Sequence, residues 1–136
     1  MDLERFVRAQ NEHQTYAQAV AELRRVRKTS HWMWFVFPQI AGLGRSSMAQ
    51  AYAIADLDEA RAYLAHPVLG PRLVECAHIV ASQQGVTAEQ IFGGIDAMKL
   101  RSSMTLFARA DPDQPVFAEV LAKYFDGPDL ETEKRL

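Results

Sequence analysis

The sequence contains a single cysteine, Cys76, among its 136 residues. One cysteine excludes an internal disulfide and a metal site built from several thiolates. The four histidines add no zinc-binding pattern, because none of them lies four residues from another. We therefore expect a fold that depends on its hydrophobic core and needs no metal or other cofactor.

Long apolar runs and a dominant charge are absent as well. The run at residues 32–37 has six apolar residues, far short of the ~20 that cross a bilayer, and the first residues are too acidic for a secretory signal. With 15 basic and 17 acidic residues the net charge is −2, which disfavours nucleic acid as a partner, even at the basic residues 24–28. We expect a cytoplasmic protein that contacts no membrane.

What the sequence has is the composition of one globular domain. Hydrophobic residues make up 49% and charged residues 24% of the chain, an ordinary balance for a folded protein. A chain of this length buries enough surface for one core, and neither repeats nor linkers divide it. The sequence predicts a single domain over residues 1–136, whose polar end, residues 129–136, forms a frayed or weakly ordered tail or one more helical turn.

Apolar residues recur at helical spacing along most of the chain. Stripes at offsets of three and four run through residues 16–26, 57–64, 69–80, 100–107 and 117–124. Asp56 with Glu59, and Thr87 with Gln90, have capping-box spacing, and Asp96 is placed to cap the helix that follows. The pattern predicts an all-α fold, a compact bundle of about six to eight short helices.

One segment does not fit this pattern. Residues 32–37 are aromatic and β-branched, so on propensity alone they predict a buried strand. No second strand-like run is present for pairing, however, and a lone strand leaves its backbone groups unsatisfied. Because Ser30 is a good helix cap and Pro38 a good stop, we expect a short, buried, Trp-rich central helix here.

The same segment carries polar side chains that could serve a ligand. His31 and Gln39 stand at its two ends with no obvious local partner, and Trp34 lies between them. A histidine beside buried aromatic rings can transfer a proton or hydrogen-bond a ligand. The structural alternative is a capped core helix, in which His31 bonds a backbone carbonyl group.

A glycine-rich turn at residues 42–47 is the second candidate. It leads into a helix-like stretch, so free backbone N–H groups and the Arg45 guanidinium could hold a phosphate or carboxylate, with Ser46 beside them. Ser47 stands where a dinucleotide-binding fingerprint needs glycine, and no lysine follows as in a P-loop. The alternative is a tight turn with a serine cap.

The third candidate lies at residues 99–105. On a helix, Lys99, Ser102 and Ser103 share one face, and a cation with two hydroxyl groups could line an anion-binding pocket. Serine is a mediocre helix former, so two together in a helix interior need a reason. That reason is either the pocket or the close packing of two helices through small side chains.

These three stretches, together with residues 2–6 and 66–73, resemble the bacterial family catalogued as domain of unknown function 1810. They occur in the same order over nearly the whole chain, and the tryptophan-rich stretch is highly specific. The resemblance implies a compact all-α single domain, but no reaction, cofactor or catalytic residue. The family pattern includes the polar residues His31, Gln39, Arg45, Lys99, Ser102 and Ser103. A purely structural domain would need its apolar pattern more than these polar identities.

We therefore predict a small-molecule-binding domain in which the three motifs meet around one anionic ligand. Trp34 would wall the site, while Arg45 and Lys99 would hold a phosphate or carboxylate group. The predicted site residues are His31, Trp34, Gln39, Arg45, Ser46, Lys99, Ser102 and Ser103. Whether the protein is an enzyme stays open, with His31 as the best acid–base candidate. The alternative function is a protein–protein interaction or scaffold module, marked by an exposed apolar patch instead of a ligand site.

Overall fold

Helices account for most of the 136 residues, all of which the computed structural model describes. In chain order the helices are α1 (Glu4–Asn11), α2 (Thr15–Arg24), α3 (Met33–Val36), α4 (Ser47–Ala51), α5 (Leu57–Ala65), α6 (Leu69–Ser82), α7 (Ala88–Phe92), α8 (Gly94–Ala110), α9 (Val116–Tyr124) and α10 (Leu130–Glu133). Six of them have eight residues or more, and the others are single turns of four or five residues. None has the length and the apolar character that a membrane span requires.

The core is one continuous cluster of 29 buried residues, and α8 is its central element. α8 contacts α5, α7, α9 and α10, and its predicted apolar stripe, Leu100, Met104 and Phe107, is fully buried. The Phe107 ring centre lies 5.3 Å from that of Tyr63 on α5 and 5.9 Å from that of Phe117 on α9. The predicted all-α single domain is confirmed.

The tryptophan-rich segment is buried as predicted, but its helix is shorter and begins differently. α3 is a single turn, and Trp32, which is 1% exposed, occupies the cap position without a side-chain cap. Ser30 does not cap the helix, because its hydroxyl donates instead to the buried carboxylate of Glu22. Beyond α3 the chain extends, and Ile40 pairs with Ile54 in an isolated parallel bridge. The sequence pattern did not indicate this bridge, since a single pair of residues has no periodicity.

The end of the chain packs against α8. Asp129 caps α10 by accepting hydrogen bonds from the Thr132 N–H group at 3.1 Å and from its hydroxyl group at 2.6 Å. The same carboxylate oxygen accepts from the Ser102 hydroxyl on α8 at 3.0 Å, and Thr132 is fully buried. These bonds hold α10 beside the helix that carries the third sequence motif.

Candidate functional site

A cavity of about 390 Å³ opens where residues 28–34 face the start of α8. Its lining consists of Lys28, His31, Met33, Trp34, Phe92, Lys99 and residues 93–96. We call it the first cavity. The first and the third sequence motifs both contribute side chains to it, although they lie far apart in the chain.

The start of α8 is a helix N-terminus without a side-chain cap. Gly93 holds the cap position with a φ of 81°, a conformation that favours glycine. The N–H groups of Gly94, Ile95 and Asp96 have no hydrogen-bond partner within the protein. A side-chain carbon added at Gly93 or Gly94 would meet nothing within 4 Å. The helix start therefore lines the cavity with three unpaired donors, and its dipole favours an anion there.

Two lysines share one carboxylate at this helix start. Lys28, whose side chain is 6% exposed, places Nζ 2.8 Å from Oδ2 of Asp96. The Lys99 side chain is 24% exposed, and its Nζ lies 3.7 Å from Oδ1 of Asp96, which is beyond hydrogen-bond distance. The single negative charge of Asp96 thus faces the positive charges of Lys28 and Lys99, so these three side chains give the cavity a net charge of one positive unit.

Trp34 gives the first cavity an aromatic surface. The Lys99 ammonium group lies 5.2 Å from the centre of the Trp34 ring, within the range of a cation–π interaction. The indole Nε1 of Trp34 is shielded from solvent and has no hydrogen-bond partner. Folded proteins leave few buried donors unpaired, so this N–H group is an exception within the wall of the cavity.

Glu22 on α2 fixes the loop that carries Lys28 and His31. Its carboxylate is fully buried and accepts the N–H groups of Thr29 and Ser30 at 2.8 and 2.9 Å and the Trp32 Nε1 at 2.9 Å. Burial alone would raise the pKa of Glu22, but the hydrogen bonds, with Ser30 first among the donors, outweigh it and lower the pKa far below its usual range. The buried anion therefore holds the loop in one conformation.

A second cavity of about 300 Å³ adjoins the first, because Ile95 and Lys99 line both. Its polar lining includes Gln39, Ser102 and Asp129, and its apolar lining includes Leu43 and Met98. The Gln39 side chain makes no hydrogen bond within the protein, whereas Ser102 donates to Asp129. His31, on the other side of the first cavity, also lines a third cavity of about 290 Å³ together with His13.

The structure brings most of the predicted site residues together and leaves three of them apart. His31, Trp34 and Lys99 line the first cavity, and Gln39, Lys99 and Ser102 line the second. Arg45 and Ser46 line neither; Arg45 is exposed, and the Ser46 hydroxyl caps α4 by accepting the Ala49 N–H group at 3.1 Å. Ser103 is fully buried, and its hydroxyl has no partner.

Three features of the site were not predicted. Lys28 is one of the basic residues 24–28, for which no buried partner was predicted, yet its side chain is buried against Asp96. Asp96 was expected to cap α8, but Gly93 occupies the cap position and Asp96 lies within the first turn. Glu22 was overlooked, although a glutamate among the apolar positions of α2 is a signal for a buried, hydrogen-bonded carboxylate.

Outside the cavities, the groups that could support chemistry are few. Cys76 is fully buried, and burial raises the pKa of its thiol to about 12, which keeps it protonated and unreactive. No three His, Cys, Asp or Glu side chains converge in a way that could hold a metal ion. The two adjoining cavities are therefore the candidate site.

Comparison with known proteins places the chain in a family. The whole chain, residues 1–136, matches the family described as "Protein of unknown function (DUF1810)". The structure is similar to the crystal structure of a conserved hypothetical protein from Mycobacterium tuberculosis, with 53% sequence identity and a TM-score of 0.96 over 99% of this chain and 96% of that chain. No curated protein matches the sequence. The chain therefore belongs to the DUF1810 family.

Proposed function

We propose that this protein is a small-molecule-binding domain whose first cavity accepts the phosphate or carboxylate group of an anionic ligand. The observation that carries the proposal is the Lys99 ammonium group, which makes no hydrogen bond and lies in a cavity that also holds three unpaired backbone N–H groups. Unpaired donors around a concave, partly apolar surface are the usual composition of a ligand site.

The two lysines have different parts in this proposal. Lys28 is buried and bonded to Asp96 at 2.8 Å, so it is held in place and contributes a fixed positive charge. Lys99 is more exposed and lies 3.7 Å from the same carboxylate, so its ammonium group is free to turn toward an anion. Asp96 keeps both cations in position and limits the net positive charge at the cavity.

His31 is the group that we assign to proton transfer if the bound ligand reacts. Its side chain is exposed at the edge of the first cavity and makes no hydrogen bond within the protein. An unpaired imidazole beside a bound anion can act as a general acid or base. Arg45 is not part of the proposed site, because it lines neither cavity.

The test is a thermal-shift and calorimetric titration with inorganic phosphate, pyrophosphate and citrate. An anion at a hundred times its Kd adds about 2.7 kcal/mol, which for a domain of this size raises Tm by roughly 5 °C or more. Lys99→Met should abolish the shift, because it removes the free ammonium group and keeps the apolar stem. Arg45→Ala, a matched loss of one positive charge outside the cavities, should keep it. An unchanged shift in Lys99→Met, or no shift with any of these anions, would contradict the proposal.

One observation favours the second candidate function, a protein-interaction module. Ile95 and Met98 on α8 are 76% and 72% exposed, and neighbouring exposed apolar side chains are typical of docking surfaces. Sedimentation of the wild type and of Ile95→Ser would reveal self-association through this surface. Self-association that Ile95→Ser abolishes, in a protein that no anion stabilises, would favour the second function over the first.

A further inference from the structure

We infer that the ligand is a phosphorylated sugar, with its phosphate in the first cavity and its hydroxyl-bearing ring in the second. This inference rests on the proposed function and narrows the class of ligand. It follows from the way in which the two cavities join and from the free polar groups of the second cavity.

The two cavities form one elongated site. Ile95 and Lys99 line both of them, and these residues are one helical turn apart on the same face of α8. Ile95 is 76% exposed, so its side chain does not seal one cavity from the other. A simple tetrahedral anion fills only part of the first cavity, whereas a ligand with a phosphate at one end can continue past Lys99 into the second.

The second cavity offers both donors and acceptors that have no partner in the protein. The Gln39 side chain can donate two hydrogen bonds and accept others, and its backbone is fixed because its carbonyl accepts the Ile54 N–H group at 2.8 Å. All three hydrogen bonds to the Asp129 carboxylate go to Oδ2, which leaves Oδ1 free to accept. Vicinal hydroxyl groups, which both donate and accept, match this pair.

The charges of the second cavity disfavour two other kinds of ligand. The Asp129 carboxylate, which has no cationic partner, would repel a second anionic group, so a ligand with acidic groups at both ends does not fit. An ammonium group is disfavoured too, because Lys99 lines the same cavity and Glu131 already pairs with Lys134 at 2.9 Å and Arg135 at 3.5 Å. Neutral hydroxyl groups remain, and Leu43 and Met98 provide an apolar surface for the C–H face of a sugar ring.

Isothermal titration of the whole protein tests this inference with five probes: inorganic phosphate, ribose, ribose 5-phosphate, glucose 6-phosphate and AMP. At least one phosphorylated sugar should bind about tenfold or more tightly than inorganic phosphate, since the hydroxyl groups add paired hydrogen bonds. Gln39→Ala should remove this gain and leave the affinity for inorganic phosphate unchanged. Gln84→Ala, an exposed glutamine that lines none of the cavities, should change neither.

Each outcome decides a different point. If inorganic phosphate binds and every ester binds no more tightly, the inference is overturned while the proposed function stands; if no probe binds, both fail. If the sugar phosphate still binds more tightly than inorganic phosphate in both Gln39→Ala and Gln39→Glu, the placement of the sugar ring in the second cavity is wrong. AMP that binds as tightly as ribose 5-phosphate supports a free sugar phosphate as the ligand, and tighter binding of AMP supports a nucleotide.

Discussion

Glu22 is a buried carboxylate to which five donor groups of the protein point. Gln18, Thr29, Ser30 and Trp32 supply these donors at distances of 2.5–2.9 Å. Hydrogen bonds to a charged acceptor contribute more than neutral ones, and here they replace the water that the carboxylate loses on burial. A single side chain thereby fixes the turn after α2 and the entry to α3.

The pH dependence of stability should reveal this carboxylate. Its pKa in the folded protein lies below the value of about 4.3 in the unfolded chain. The stabilisation is therefore complete above about pH 5 and is lost as the pH falls through the unfolded value toward the folded one. Glu22→Gln should be less stable than the wild type by about 1.5–3 kcal/mol at pH 7.

Urea unfolding between about pH 7 and pH 3 measures the effect. We expect the gap between wild type and Glu22→Gln to narrow as the pH falls, because the wild type loses the contribution that the variant never had. Glu119→Gln, which changes an exposed glutamate on α9, is the control and should follow the wild-type curve. A gap of constant size across this range would contradict the role of the charge.

At the scale of elements, the joint between α5 and α6 depends on a close approach of two backbones. His66 follows α5, and its Nδ1 accepts the N–H groups of Val68 and Leu69 at the start of α6, at 3.1 and 3.3 Å. Gly70 then lies against the end of α5, where an added Cβ would stand 2.0 Å from the carbonyl oxygen of Leu64. No side chain fits at this position unless the two helices move apart.

Gly70→Ala should therefore destabilise the protein by about 1–3 kcal/mol or more, the cost of overpacking a rigid contact. Gly94→Ala is the matched control, because an added Cβ meets nothing within 4 Å there. That control should leave stability unchanged or raise it by about 0.4–1 kcal/mol through the unfolded state. Urea unfolding compares the two variants with wild type, and equal stability of Gly70→Ala and wild type would refute the close contact.

At the scale of the whole molecule, one core implies one unfolding transition. The 29 core residues form a single cluster to which every helix except α4 and α10 contributes, so we expect these eight helices to unfold together. Differential scanning calorimetry should give one peak with an enthalpy of about 95 kcal/mol, from about 0.7 kcal/mol per residue over 136 residues. Two resolved peaks would show that the helices form separate cooperative units.

The fold could be predicted from the sequence because its main signals are local. The buried stripe of α8 and the capping box of Thr87 and Gln90 can be recognised within a few residues, and both are confirmed. The cavity could be predicted only in part, because its geometry depends on pairs far apart in the chain. Nothing near Lys28 in the sequence indicates its ion pair with Asp96, and nothing near Arg45 indicates that it lines neither cavity.

The two tryptophans differ in a way that has an optical consequence. Trp32 is buried with its Nε1 bonded to Glu22, and the ammonium group 5.0 Å from its ring belongs to Lys28, which Asp96 holds in place. Its emission therefore changes chiefly when the chain unfolds. Trp34 borders the first cavity, 5.2 Å from the Lys99 ammonium group, so its emission responds to whatever draws that ammonium group away. Under the proposed function, the folded protein thus carries an internal reference in Trp32 and an internal indicator in Trp34, and binding of an anion could be followed without an external label.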